Sequence, residues 1–320
     1  MTALWQRRPV GIVGLGLIGG SLGLDLLARG ATVRALVHRQ ATADRALERG
    51  LASAVSTDPE LLRDCGLVVL ALPLDLLLDP PPQLLASLPP GAVITDVGSV
   101  KAPVLQAWTA RLGPERASRF VASHPMAGTA RAGVEAGLAG LFRGRPWVAT
   151  PIEATDPSAL AAVSMLAEAV GARWLTCGAA DHDRAVALIS HLPVLVSAAL
   201  LQAADRGGAV VSATGRPAAG SAGAVAAGER ADAALDPGVS TLSALVRGLA
   251  SSGFADTTRV GGGNPELGTL MARGNRQPLL AALAQYRQAL AELEQLVTSE
   301  SWPDLQAALA EAQRLRPEFL

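Results

Sequence analysis

One of only four histidines in this 320-residue chain, His124, stands in the stretch Ser123-His-Pro-Met-Ala-Gly-Thr129. Imidazole is the side chain whose ordinary pKa lies nearest neutrality, so an unusually placed histidine is a first candidate for proton transfer. Pro125 removes a backbone donor and pushes the residue before it toward extended geometry. The stretch therefore reads as a shaped loop in which Ala127 and Gly128 leave room beside the ring. His191 lies in ALISHLPVLVSAAL, at the mouth of an otherwise apolar helix, and is the second candidate. His182, in ADHD, reads as a helix N-terminal residue behind an Asp181 cap.

A second chemistry-bearing pattern comes earlier. Gly14, Gly16 and Gly19 spell GLGLIG after the strand-like VGIV and before the helix-like LIGGSLGLDLLARG. In that context the first glycine allows a tight turn, the second lets backbone approach a pyrophosphate, and the third lets helix meet strand. The helix N-terminus then presents free amides to the anion. Where an NAD site would carry an acid for the ribose hydroxyls, this chain has RALVHRQ, with no carboxylate from Arg34 to Ala43. A guanidinium there gains roughly 1.5 to 3 kcal/mol on a 2′-phosphate. The expected cofactor is NADP, with Gly14, Gly16, Leu17, Ile18, Gly19, His38, Arg39, Gln40 and Pro73 as its contacts.

Positioning these groups calls for alternating strands and helices. Strands are expected at 10–14, 32–37, 67–73 and 92–98, with helices between them, and the last strand near 147–150. Apolar strands separated by helices imply a parallel sheet covered on both faces. The expected fold is an α/β, doubly wound, Rossmann-type dinucleotide domain over 1–155 followed by an all-α domain over 156–320. Within the second part, 207–238 is rich in Ala and Gly and reads as a mobile insertion. Leu279, Leu283, Tyr286, Leu290, Leu293 and Val297 form a seam suited to another helix.

Composition excludes several classes. A net charge of −1 with no basic block argues against nucleic acid as a partner. The N-terminus lacks the long apolar core of a signal peptide. No unbroken apolar run reaches ~18 residues, so no membrane partner is expected. Cys65 and Cys177 match no metal spacing, and a reducing, cytoplasmic setting is expected.

Five blocks together, GLGLIGGSLG, DVGSVK, SHPMAGT, DHDRAVALISHLP and SSGFADTTRVGGGNPELG, resemble the prephenate and arogenate dehydrogenases of tyrosine biosynthesis. The HRQ stretch and the last two blocks are most similar to the cyanobacterial, arogenate- and NADP-preferring type. The resemblance implies oxidative decarboxylation of a cyclohexadiene, with His124 accepting the ring hydroxyl proton. It implies that Ser99 orients that histidine, that His191 lies near nicotinamide and substrate, and that Arg259 pairs with the ring carboxylate. Gly128 and Thr129, within the SHPMAGT match, fall on the substrate side. The family forms homodimers through its helical domain, and no regulatory domain is expected after residue 320.

Rival readings lose required residues. A β-hydroxyacid dehydrogenase relies on a lysine in its second domain, whereas the only lysine here is Lys101. A short-chain dehydrogenase needs Tyr-x-x-x-Lys, which Tyr286 does not begin. A non-catalytic NADP sensor would need neither paired histidines nor a carboxylate-binding arginine.

Overall fold

The computed structural model describes residues 3–129, 131–209 and 242–319. From the N-terminus run α1 (Leu4–Arg7), β1 (Val10–Val13), α2 (Leu17–Leu27), β2 (Val33–Leu36), α3 (Gln40–Glu48), β3 (Ala54–Ser56), β4 (Leu67–Leu70), α4 (Leu74–Leu78), α5 (Pro82–Ser87) and β5 (Val93–Asp96). Then come α6 (Ala102–Ala117), β6 (Phe120–Val121), β7 (Ser123–Pro125), β8 (Pro146–Ala149), α7 (Pro157–Ala169) and β9 (Arg173–Thr176). Past β9 the described chain is helical: α8 (Ala179–Val186), a π-helical turn (Ala187–His191), α9 (Leu192–Ala209), α10 (Leu242–Leu249), α11 (Ser252–Thr258), α12 (Pro265–Gly274), α13 (Arg276–Thr298) and α14 (Trp302–Phe319). The segment read as an insertion lies, from residue 210 onward, outside the described residues.

Six strands form one parallel sheet in the order β3-β2-β1-β4-β5-β6. Successive side chains of a strand point to opposite faces, and here both faces are covered, which is why the strands read as unbroken apolar runs. Leu67 and Val69 of β4 enter a core shared with Leu22, Val163 and Leu166, while Val68 and Leu70 enter the opposite core with Val104, Trp108 and Phe120. The order reverses between β1 and β4, so their carboxyl ends border the crevice where open α/β sheets bind ligands.

A second, three-stranded sheet, β7-β8-β9, pairs β7 with β8 antiparallel and β8 with β9 parallel. Two expectations change here. SHPMAGT is not wholly a loop, because Ser123, His124 and Pro125 form β7, with His124 opposite Val148 and Pro125 opposite Trp147. An edge strand tolerates a residue with no amide proton, and the extended backbone that proline imposes on His124 is what a strand requires. Strands also continue past Thr150: β9 carries exposed and half-buried side chains only, so it lacks the apolar run or alternation that marks a strand in sequence.

Residues cluster into two compact units, one of Met1–His191 with Glu266–Leu320 and one of Leu192–Pro265. In the first, α13 buries Leu279 and Ala282, but Tyr286, Leu290, Leu293 and Val297 of the expected seam are exposed. The second holds α9, α10 and α11, where the Ser197 hydroxyl donates to Thr257 O and accepts from Gly261 N. Ala179–Gly207 is, among the described residues, the one helical run long and apolar enough to cross a membrane by length and composition. Its first part buries His182, Asp183 and His191 in the α/β unit, so that stretch is internal to the fold.

Candidate active site

The glycine turn has the shape a dinucleotide needs. Gly14 adopts φ 95°, and a Cβ there would lie 2.3 Å from Ala71 O. A Cβ on Gly19 would lie 2.0 Å from Gly14 O, so the start of α2 sits directly on the turn. Gly16, the N-cap of α2, has no protein atom within 4 Å of where its Cβ would be, so the space beside it is open. The residues fit a pyrophosphate resting on the free amides of Leu17 and Ile18. Gly16→Ala should therefore raise the dissociation constant for the cofactor with an unchanged unfolding midpoint, as titration and thermal melting would show. A destabilised protein with unaltered affinity would refute that division of roles.

Elsewhere in the first unit three histidines converge. His124 Nδ1 lies 3.0 Å from His182 Nε2, and His182 Nδ1 lies 2.8 Å from Asp183 Oδ1. Asp183 in turn accepts from the Lys101 and Ala102 amides at 2.7 and 2.9 Å, the N-terminus of α6. A carboxylate at such a terminus is favourably placed, so the row is anchored at its acidic end. Asn275, at the start of α13, reaches the Asp183 main-chain oxygen at 2.7 Å and His191 Nδ1 at 3.1 Å. Desolvation holds the His124 pKa well below its ordinary value, and the charges of Lys101, His182 and His191 add to that. Burial brings His191 down to about 4, with Asp183 opposing and His182 assisting. Both rings are neutral near pH 7, the state in which an imidazole can accept a proton.

A buried ion pair sets the position of β7. Lys101, fully buried, donates to Asp96 at the end of β5 and, at 2.6 Å, to the Ser123 main-chain oxygen. Asp96 also accepts from the Gly98 amide at 2.8 Å and the Ser123 amide at 3.1 Å. The Ser123 hydroxyl donates to Asp96 O at 2.8 Å and accepts from Trp147 Nε1 at 2.9 Å. The residue before His124 is thus fixed from both sides, which fixes where the imidazole emerges.

Of the residues singled out in the sequence, His124 and His191 share this unit and interact electrostatically. His182 is not the surface residue of a capped helix start. The N-cap of α8 is Gly178, Asp181 pairs with Arg184, and His182 is 3% exposed between His124 and Asp183. The helix begins a turn earlier than the ADHD pattern suggests, which turns the ring inward. Ser99 is half-buried in the loop after β5, and no hydrogen bond joins it to His124, whose Nδ1 faces His182. Gly128 and Thr129 are exposed beyond β7, and the Thr129 hydroxyl accepts from the Arg131 amide. Arg259 is exposed at the C-cap of α11 in the second unit. His38, Arg39 and Gln40 are exposed after β2, with Arg39 Nε donating to His38 Nε2 at 2.7 Å, and Pro73 is the N-cap of α4.

Lys101, Asp96, Asp183 and Asn275 escaped the sequence reading. The one available signal was an acid directly beside a histidine in DHD.

Residues 22–176 match the nucleotide-binding domain of prephenate dehydrogenase, and 178–221 with 237–311 match its dimerization domain. The chain belongs to the prephenate dehydrogenase family. Within that family it is 28% identical to the cyclohexadienyl dehydrogenase of Zymomonas mobilis over 97% of this chain and 95% of the relative. Synechocystis arogenate dehydrogenase has a similar structure, at TM-score 0.74 and 38% identity, over 98% of this chain and all of that one. The prephenate dehydrogenase of A. aeolicus, solved with hydroxyphenyl propionate and NAD+, superposes at TM-score 0.78 and 25% identity over 98% of both chains. A nicotinamide dinucleotide cofactor and dehydrogenase chemistry come with membership of the family. The glycine turn itself lies before residue 22, so its assignment rests on the geometry above.

Proposed function

We propose that this enzyme oxidatively decarboxylates arogenate to tyrosine, with NADP as hydride acceptor. The observation that carries the reading is the row Asp183, His182, His124, which engages His124 Nδ1 and presents Nε2 as the ring's remaining acceptor. His124 Nε2 takes the proton of the substrate's ring hydroxyl. As that oxygen gains negative character, hydride leaves its carbon, and carbon dioxide departs from the opposite ring carbon as the ring becomes aromatic. A bound nicotinamide supplies the hydride acceptor, and Gly14, Gly16, Leu17, Ile18, Gly19 and Pro73 would hold the dinucleotide. Ser99 contributes by touching the substrate hydroxyl, and Gly128 and Thr129 border the ring. Arg259 suits the ring carboxylate, because its planar fork meets a carboxylate with two parallel hydrogen bonds.

Arogenate is favoured by the 38% identity to the Synechocystis enzyme. NADP is favoured by the exposed Arg39 guanidinium, which among the described residues engages a neighbour through its Nε, and by the absence of an acid from 34 to 43. The exposed face of α13, with Tyr286, Leu290, Leu293 and Val297, fits a homodimer.

Two substrates assayed against two cofactors test the reading. Arogenate with NADP should give the highest kcat/KM, with tyrosine as product, and Arg39→Ser should lower kcat/KM for NADP about tenfold or more while sparing NAD. Higher efficiency with prephenate would reassign the substrate, and an Arg39→Ser protein indifferent between cofactors would remove the phosphate assignment. Absence of turnover with both substrates would favour a cofactor-binding sensor.

A further inference from the structure

The Asn275 amide fixes more than the position of His191. Its nitrogen lies 2.7 Å from the Asp183 main-chain oxygen, which can only accept, so Nδ2 and not the amide oxygen must face it. The second N–H of that nitrogen meets His191 Nδ1 at 3.1 Å. His191 Nδ1 is therefore an acceptor, and a neutral imidazole accepting at Nδ1 carries its proton on Nε2. That Nε2 is buried and, among the described residues, has no partner, in a residue only 2% exposed. Buried donors are nearly always met, by protein, water or ligand.

We propose that Asn275 is a positioning residue that holds His191 as a neutral hydrogen-bond donor, through Nε2, to an oxygen of the bound substrate. The inference rests on the proposed function only for what accepts that bond; the proton's location is a property of the protein alone. His124 is set with the opposite polarity. His182 gives its Nδ1 proton to Asp183 at 2.8 Å and accepts from His124 Nδ1 at 3.0 Å, so His124 Nε2 is an acceptor. Both assignments pass through Asp183, one by its carboxylate and one by its main-chain oxygen. One acceptor and one donor match a ligand with a hydroxyl to give and a separate oxygen to receive. The charged and titratable groups around His191 are Asp183 and His182 on α8 and His124 on β7, and on balance the ring stays neutral, with a pKa of about 4.

Asn275→Asp reverses the polarity. The new carboxylate accepts from Nδ1–H, moves the lone pair to Nε2, and favours the charged ring. With arogenate and NADP, kcat/KM should fall about tenfold at pH 8, mainly through KM, and recover as pH falls toward about 6, where the charged ring again donates from Nε2. A purely structural role predicts a loss that is flat with pH, and either that or no loss would overturn the proposal. Because Asn275→Asp also risks misfolding, the natural protein supplies a second test. Nitrogen-15 histidine spectra, with His191 assigned through His191→Asn, should show an Nε2–H neutral ring from about pH 8 to 5. An Nδ1–H ring, or protonation near 6.5, would overturn the proposal without any substrate, and so independently of what the enzyme turns over.

Discussion

His124→Asn should lower kcat by about 10²- to 10⁴-fold, the usual worth of a positioned general base. Asparagine is close to histidine in bulk at its root but has no nitrogen that accepts a proton, so the substitution removes the chemistry with little change in packing. The glycine turn follows β1, whereas this ring stands on β7, and cofactor affinity measured by titration should remain within about twofold. The natural enzyme's pH profile should agree: because His124 is held well below its ordinary pKa, the acid limb of kcat/KM assigned to this base lies below about 6.5. A variant as active as the natural enzyme would remove His124 as the proton acceptor. So would a full loss of activity accompanied by an equal loss of cofactor binding, which would indicate a collapsed crevice.

The second large effect is on stability. Lys101→Met should destabilise the protein by about 3 to 5 kcal/mol in equilibrium urea unfolding, because Asp96 would stay buried with main-chain donors but no cation. Lys101 itself is not comfortable there; burial lowers its pKa and only the nearby Asp96 and Asp183 charges resist. Replacing both members, Lys101→Met with Asp96→Asn, should recover much of the loss, since a neutral amide needs no cation. If the single and double variants are equally unstable, the pair matters for packing and not for charge. The ion pair joins the end of β5 to the start of β7, so the single variant should also be less active than its folded fraction predicts.

Local grammar made much of this legible. The glycine turn, the parallel sheet and the extended backbone at His124 arise from residues within a few positions of each other, and the structure has them. His182 shows where such reading ends. Its neighbours in sequence suggested a capped helix start, but its role is set by His124, 58 positions away, and by an α6 terminus that only the folded chain brings to Asp183. Lys101 is the sole lysine, and nothing in DVGSVK reveals that its side chain is buried against Asp96. Asn275 is the N-cap in the turn between α12 and α13, and its significance comes from α13 packing beside α8 and the π turn. Ser99 shows the converse: its motif is recognisable in sequence, while the partner that engages His124 Nδ1 in the fold, His182, lies in another block.

The π turn at Ala187–His191 has a bearing on how this enzyme can change over generations. His182 and His191 are nine positions apart, and at about 100° per residue a regular α-helix would put them on opposite faces. A π turn is wound more loosely and behaves as one residue inserted into an α-helix, rotating the residues beyond it by about 100°. With it, both rings come to the Asp183 and Asn275 side of the unit. Winding the same nine residues as a regular α-helix would turn His191 about 100° away from Asn275, whereas losing one residue at the turn would restore regular winding and leave His191 on its present side. The π turn thus absorbs one residue of chain, so that a relative one residue shorter between the two histidines, wound as plain α-helix, could carry the same arrangement of rings.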